Sequence, residues 1–315
     1  MSRGHKFIIR GLFSPKGLII SILVLTSYSG IAQSREFLFN NGVNYMLADR
    51  EMAIKQFNKA IEIDSSFSAA YFYRGVAKFK QGNYEDAISD FNKVALIDSS
   101  VTIIHAYNGF AYRQIGKKDE SLASFNQYVK SRDELSAMDH KLIGKAKMET
   151  GDLEGAIKSF EQALDTDKGE SEYYYLFRAL YSHGQYQEAL VQINKAINED
   201  DEFYGYYINR GNTSLKLGAF EEALTDYDHA LVLEPSVPDS YFLRGRALDT
   251  LNFHDKAIED FTKAIELNPE DGTYYSKRGN ARYAMGQHEK ACMDWTIANN
   301  LGYYEDFNKI KSLCE

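Results

Sequence analysis

The stretch YFLRGRALDTLNFHDKAIEDFTKAIELNP, residues 241–269, reads as two amphipathic helices and the turn between them. Tyr241 and Gly245 mark one face of the first helix; Ala257, Phe261 and Ala264 mark one face of the second, since residues four and seven apart share a helical side. Asn252 lies five residues before Ala257, where the first helix must end and reverse, and Pro269 stops the second. Moving outward, the Ala257 place recurs at Ala53, Ala87, Ser121, Ala156, Ala189, Ala223 and Ala291, at intervals of 33 to 35 residues. Four residues after each stands a large apolar side chain: Phe57, Phe91, Phe125, Phe160, Ile193, Tyr227, Phe261 or Trp295. A third marker follows three residues later and is alanine in six of the eight units. A period in this range is the signature of a stacked array, whose function is more often a long surface than a buried pocket.

Punctuation agrees with this reading. Gly82, Gly116, Gly151, Gly184, Gly218 and Gly286 occupy the Asn252 place, where a left-handed residue caps a helix at low steric cost. The small alanines let two helices approach closely, and the large side chain four residues on fills the adjoining gap.

The two-helix, 34-residue unit resembles the tetratricopeptide repeat, and Tyr241, Gly245, Ala257, Phe261, Ala264 and Pro269 are its closest match to the family landmarks. Eight units follow, at about 36–67, 68–101, 102–135, 137–169, 170–203, 204–237, 238–271 and 272–302. The first is one residue short between Gly42 and Ala53, and the fifth carries Phe177 where a small residue is expected. The resemblance implies an all-α, right-handed superhelical solenoid whose first helices line a concave groove that binds a peptide or protein. It places Phe72, Val76, Phe79, Phe110, Arg113, Lys141, Lys145, Tyr174, Arg178, Tyr181, Asn212 and Arg246 on that face. This is an apolar entrance followed by a basic middle on an acidic chain, a contrast suited to an acidic peptide or carboxylate tail. The family's carboxylate-clamping sub-motif is absent, because Lys141 is followed four residues on by Lys145 rather than asparagine.

The ends read differently. Arg3, Lys6, Arg10 and Lys16 precede the apolar run Leu18 to Leu25, and Gly30 and Ala32 give small residues ahead of a cut before Gln33. That pattern is a secretory signal over 1–32, with an uncleaved anchor as the alternative. The array is therefore expected to be exported and periplasmic, or else secreted or anchored. Cleavage takes the net charge from −9 to −13, a poor balance for nucleic acid or for an anionic membrane surface. Residues 303–315 read as a capping helix. The two cysteines, Cys292 and Cys314, suit either a disulfide in an oxidising compartment or two free thiols packed apart.

No catalytic constellation emerges. The seven histidines have no partner at ligand or triad spacing, with His105 and His140 at the Tyr241 packing place, and no Gly-rich phosphate-cradling signature occurs. An enzyme is not expected, nor a cofactor or metal. Arg74, Arg210, Arg244 and Arg278 each precede the small glycine, and the same four units carry Asp90, Asp226, Asp260 and Asp294 before the large apolar residue. The other four units have neither, which implies structural arginine–carboxylate pairs, because a partly buried charge needs a partner. Abundant tyrosine and phenylalanine keep a second function open, a cell-envelope glycan or peptidoglycan binder that stacks sugars on exposed rings.

Overall fold

The computed structural model describes residues 34–303 and Cys314; the leader reading over 1–32 and nearly all of the capping helix lie outside the described residues. The described residues form sixteen helices and no strand. They fall into two compact units divided after Ser99. The first holds α1 (Arg35–Tyr45), α2 (Arg50–Ile63), α3 (Ser68–Lys80) and α4 (Tyr84–Ile97). The second begins with α5 (Ile103–Gln114), α6 (Lys118–Lys130), α7 (Ala137–Thr150), α8 (Leu153–Thr166), α9 (Glu170–His183) and α10 (Tyr186–Glu199). It continues with α11 (Tyr204–Lys216), α12 (Phe220–Leu233), α13 (Pro238–Thr250), α14 (His254–Leu267), α15 (Gly272–Ala284) and α16 (His288–Asn300). Within each unit every helix packs against the next in the chain, the two helices of one repeat most extensively.

Local chemistry sets the helix ends. Asp49 accepts from the Met52 N–H and Asp152 from the Gly155 N–H, each satisfying a donor that the first turn cannot pair. Ser136 and Asp139 form a reciprocal capping box at the start of α7. At the hairpin turns the glycines take φ between +74° and +87°. Asn252 sits there at φ 63°, and it is the non-glycine residue with the lowest penalty for that conformation.

The repeated core follows from one close approach. Phe261 lies so near Gly245 that a Cβ added to the glycine would stand 2.9 Å from the ring. Gly42, Gly75, Gly109, Gly144, Gly211 and Gly279 meet the corresponding rings of their own repeats in the same way. The fifth repeat inverts the sizes, with Phe177 on α9 and the smaller Ile193 on α10 in one buried cluster. The two together are bulkier than a glycine and a ring, and both are buried within that broad cluster.

Candidate functional site: the first-helix layer

The four arginines each tie three helices. In α13, Arg244 donates from Nε to Asp260 Oδ2 at 2.8 Å and from Nη2 to Asp260 Oδ1 at 2.6 Å, while Nη1 donates to Asp228 at 2.6 Å. Asp260 is on α14 of the same repeat; Asp228 is on α12 of the preceding one. Arg74, Arg210 and Arg278 repeat the arrangement against Asp90, Asp226 and Asp294, with third bonds to Asn58, Asn194 and Thr262. Each guanidinium also lies 5.1 to 5.9 Å from the ring centre of Tyr71, Tyr207, Tyr241 or Tyr275. All four aspartates are buried. The hydrogen bond to Asp260, with a smaller one to Asp228, holds the Arg244 guanidinium above even the ordinary arginine value. These arginines are consumed by structure and offer no charge to a partner. The third acceptor is not visible from the pattern that reveals the pair, because Asn58, Asn194, Asp228 and Thr262 share only a side-chain oxygen sixteen residues upstream.

Asn212 also belongs to the framework. Its Oδ1 accepts from the Tyr227 hydroxyl at 2.8 Å, and the equivalent Asn280 accepts from Trp295 Nε1 at 2.9 Å. Tyr227 is fully buried, and that burial pushes its phenol well above the usual tyrosine value. A buried donor needs an acceptor, so asparagine appears where the large side chain is Tyr227 or Trp295 and at no repeat whose counterpart is Phe or Ile. That co-occurrence was the available signal.

The other residues assigned to the face divide. Phe72 and Val76, in the first unit, are buried and serve packing, so they are corrected from surface to core; Phe79 is half-buried with its ring 5.4 Å from that of Tyr84. In the second unit the first helices are linked side by side. Arg113 of α5 pairs with Glu149 of α7 at 2.8 Å, and Lys141 of α7 pairs with Glu172 and donates to Ser171 Oγ of α9 at 3.1 Å. Tyr174 of α9 rests 5.2 Å from the ring of Tyr206 on α11, and Tyr274 of α15 donates to Asp239 of α13 at 2.6 Å. Burial pushes the Glu172 carboxyl up, but the Lys141 and Ser171 hydrogen bonds outweigh it and leave the group below the ordinary carboxylate range. Arg113 and Lys141 are therefore neutralised from within. Phe110 packs edge-on against Phe125, and Tyr181 lies between Phe177 and Tyr186.

Lys145, Arg178 and Arg246 remain. Lys145 sits 3.9 Å from the Tyr175 ring centre, Arg178 6.0 Å from Tyr174 and Arg246 5.7 Å from Phe242. Among the described residues none of the three meets a carboxylate, and Arg178 and Arg246 are exposed. The exposed Lys216 near the end of α11 belongs with them, though the repeat pattern alone does not single it out. Among the described side chains, the carboxylates nearby on these helices are engaged: Glu149 with Arg113, Glu172 with Lys141, Asp249 with His254 at 2.6 Å, and Asp239 with the Tyr274 hydroxyl.

His105 is partly buried, which lowers its pKa. No group of three or more His, Cys, Asp or Glu among the described residues is placed to hold a metal ion. None of the described helices is long and apolar enough to cross a membrane. Cys292 on α16 is joined to Cys314 by a disulfide, which leaves no free thiol.

Tetratricopeptide-repeat family models match residues 68–100, 147–207, 204–236 and 238–271. The chain is a tetratricopeptide-repeat protein. Among solved structures, the array is similar to the C-terminal part of a repeat-containing protein from Cytophaga hutchinsonii, with TM-score 0.63 and 21% identity over 78% of this chain and 99% of that one. A repeat protein from Parabacteroides merdae aligns over 79% and 99%, with TM-score 0.58 and 17% identity. YrrB, described as a repeat protein with an unusual peptide-binding site, gives TM-score 0.51 and 19% identity over 57% and 92%. At these identities the likeness is one of fold. No curated protein sequence matches this tetratricopeptide-repeat chain.

Proposed function

We propose that this tetratricopeptide-repeat protein is an exported, periplasmic interaction scaffold that holds an acidic segment of a protein partner along the first-helix layer of its second unit. One observation carries the reading: among the described side chains of that layer, Lys145, Arg178, Lys216 and Arg246 are cations that meet no carboxylate, while the nearby carboxylates are each engaged, on a chain whose net charge is −9. A local sign opposite to the net charge attracts an anionic ligand and excludes most cationic ones. The aromatic rings over which Lys145, Arg178 and Arg246 lie also restrict those long side chains, which lowers the ordering cost of contact. The glycan alternative has less support, because Tyr174 and Tyr181 are already engaged in ring packing. Export is supported by the leader pattern, and the Cys292–Cys314 bond is of a kind that persists in oxidising compartments.

Crosslinked affinity capture from an envelope extract tests this, with residues 33–315 beside a Lys145→Glu/Arg178→Glu/Arg246→Glu variant of equal helicity. The expected result is one acidic partner retained by the first, released by salt and lost by the second. The same partner held equally by both would overturn the assignment of the face.

A further inference from the structure

Five successive first helices of the second unit present a side-chain N–H donor at one repeat place: Lys145 on α7, Arg178 on α9, Asn212 on α11, Arg246 on α13 and Asn280 on α15. Lys216 adds a cation one turn beyond Asn212, so α7, α9, α11 and α13 each carry one. These helices are neighbours. Lys141–Glu172 joins α7 to α9, and Tyr174 packs on Tyr206 between α9 and α11. Leu215 of α11 and Leu243 of α13 pack on one buried cluster, and Tyr274–Asp239 joins α15 to α13. Packed helix axes lie about 8–10 Å apart, so the donors form rungs at about that interval. The two asparagines are also oriented. Trp295 Nε1 can only donate, so the Asn280 oxygen faces it and the amide Nδ2 is turned away; Asn212 holds the Tyr227 hydroxyl by its oxygen in the same manner. Among the described residues neither Nδ2 meets an acceptor, and Asn280 is exposed.

We infer that the occupant of this row is a polyproline II segment with an acidic side chain at every third residue. The inference rests on the acidic-partner reading above and adds the conformation and the spacing of that partner. A polyproline II helix has three residues per turn and rises about 3.1 Å per residue, so every third side chain lies on one edge at intervals of about 9.3 Å, matching the rungs. A β-strand puts residues three apart on opposite faces and repeats one face at about 6.7 Å, out of step by the second rung. An α-helix with one acid in seven would repeat at about 10.5 Å, but its carbonyls are bonded internally and leave nothing for the asparagine amides. Polyproline II leaves its carbonyls free. Its prolines also suit aromatic-lined surfaces, which Tyr175, Tyr174 and Phe242 supply beside Lys145, Arg178 and Arg246.

Fluorescence anisotropy with the full chain at low salt tests the inference on three labelled peptides of equal charge. One is a dodecamer of four Glu-Pro-Pro triplets, the second has four Glu followed by eight Pro, and the third is an Ala/Gln helix with four Glu seven apart. The triplet peptide should bind about tenfold more tightly than the block, as two further exposed charge contacts would give, and more tightly than the helix. An Arg178→Gln/Arg246→Gln variant of equal helicity should lose that preference. Equal affinity for the block, or tighter binding of the helix, would overturn the inference and leave the acidic-partner reading standing. A preference unchanged in the variant would overturn it too, because the rungs would not be what reads the spacing. If none of the three peptides binds, the inference and the reading beneath it both fall.

Discussion

Replacing Asp260 by alanine isolates what one arginine tie contributes. Two of the three hydrogen bonds of Arg244 end on this carboxylate, which is 5% exposed. The substitution deletes both and leaves a guanidinium that is only about one quarter exposed holding Asp228 alone. Breaking a buried pair from one side costs about 3–5 kcal/mol, because the surviving charge stays desolvated. The partial exposure of Arg244 and the surviving Asp228 bond reduce this to about 2–3 kcal/mol, since some solvent reaches the fork. For a chain of this size that is a fall in melting temperature of roughly 3–5 °C. Asp228→Ala is the internal control: Asp228 is 62% exposed, so its loss should cost less than about 1 kcal/mol. Thermal melts followed by circular dichroism read both variants, and Arg244→Leu/Asp260→Leu should recover much of the loss because no charge is stranded. If Asp260→Ala melts with the parent chain, or no lower than Asp228→Ala, the tie is not a stabilising element and the reasoning fails.

Two further outcomes follow from the geometry. Asn212→Leu strands the buried Tyr227 hydroxyl and should cost about 1–3 kcal/mol in urea unfolding, whereas Asn212→Leu/Tyr227→Phe should restore most of it; a double variant no better than the single would contradict the pairing. Glu172, with its pKa lowered in the fold, contributes stability that is complete above the ordinary carboxylate value of 4.5 and is lost as the pH falls through the folded value. Melts between pH 7 and pH 3 should therefore show a smaller acid-induced drop in Glu172→Gln than in the parent, and parallel curves would refute the assignment.

The fold was legible because its cause repeats. Small residues at the Ala257 place and large apolar side chains four residues on recur in all eight repeats, and a glycine or Asn252 stands five residues before in seven of them, so copies of one constraint stand out of the sequence. The Arg244–Asp260 relation was legible for the same reason, as two residue types that occur together in the same repeats. Sequence alone was silent wherever partners vary in identity. The third acceptors of the arginines are amide, carboxylate or hydroxyl oxygens, and only their function is shared. Reading the face from helix positions also assumed that such positions are open. Phe72 and Val76 are not, because large apolar side chains take whatever burial the neighbouring helices offer. Lys141 looked available until Glu172, thirty-one residues away, came beside it. Charge state on this face is decided between repeats, and a pattern read within one repeat does not contain that information.

The Nη1 bond of each arginine reaches backward, from Arg244 to Asp228 and from Arg210 to Asn194, so every tie belongs to a seam between two repeats. Gene rearrangements that lose or copy whole repeats must then satisfy a matching rule at the new junction. Excision of 204–237 would bring Asn194 into the place of Asp228 against Arg244, acceptor for acceptor, and the join could close. Insertion of a copy of the third repeat at the same seam would present Asn126 there and supply an acceptor, but would offer no arginine for the seam behind it. The chain is thus a string whose joints record the order of its parts, and recombination can shorten its tied end more freely than it can shuffle the middle.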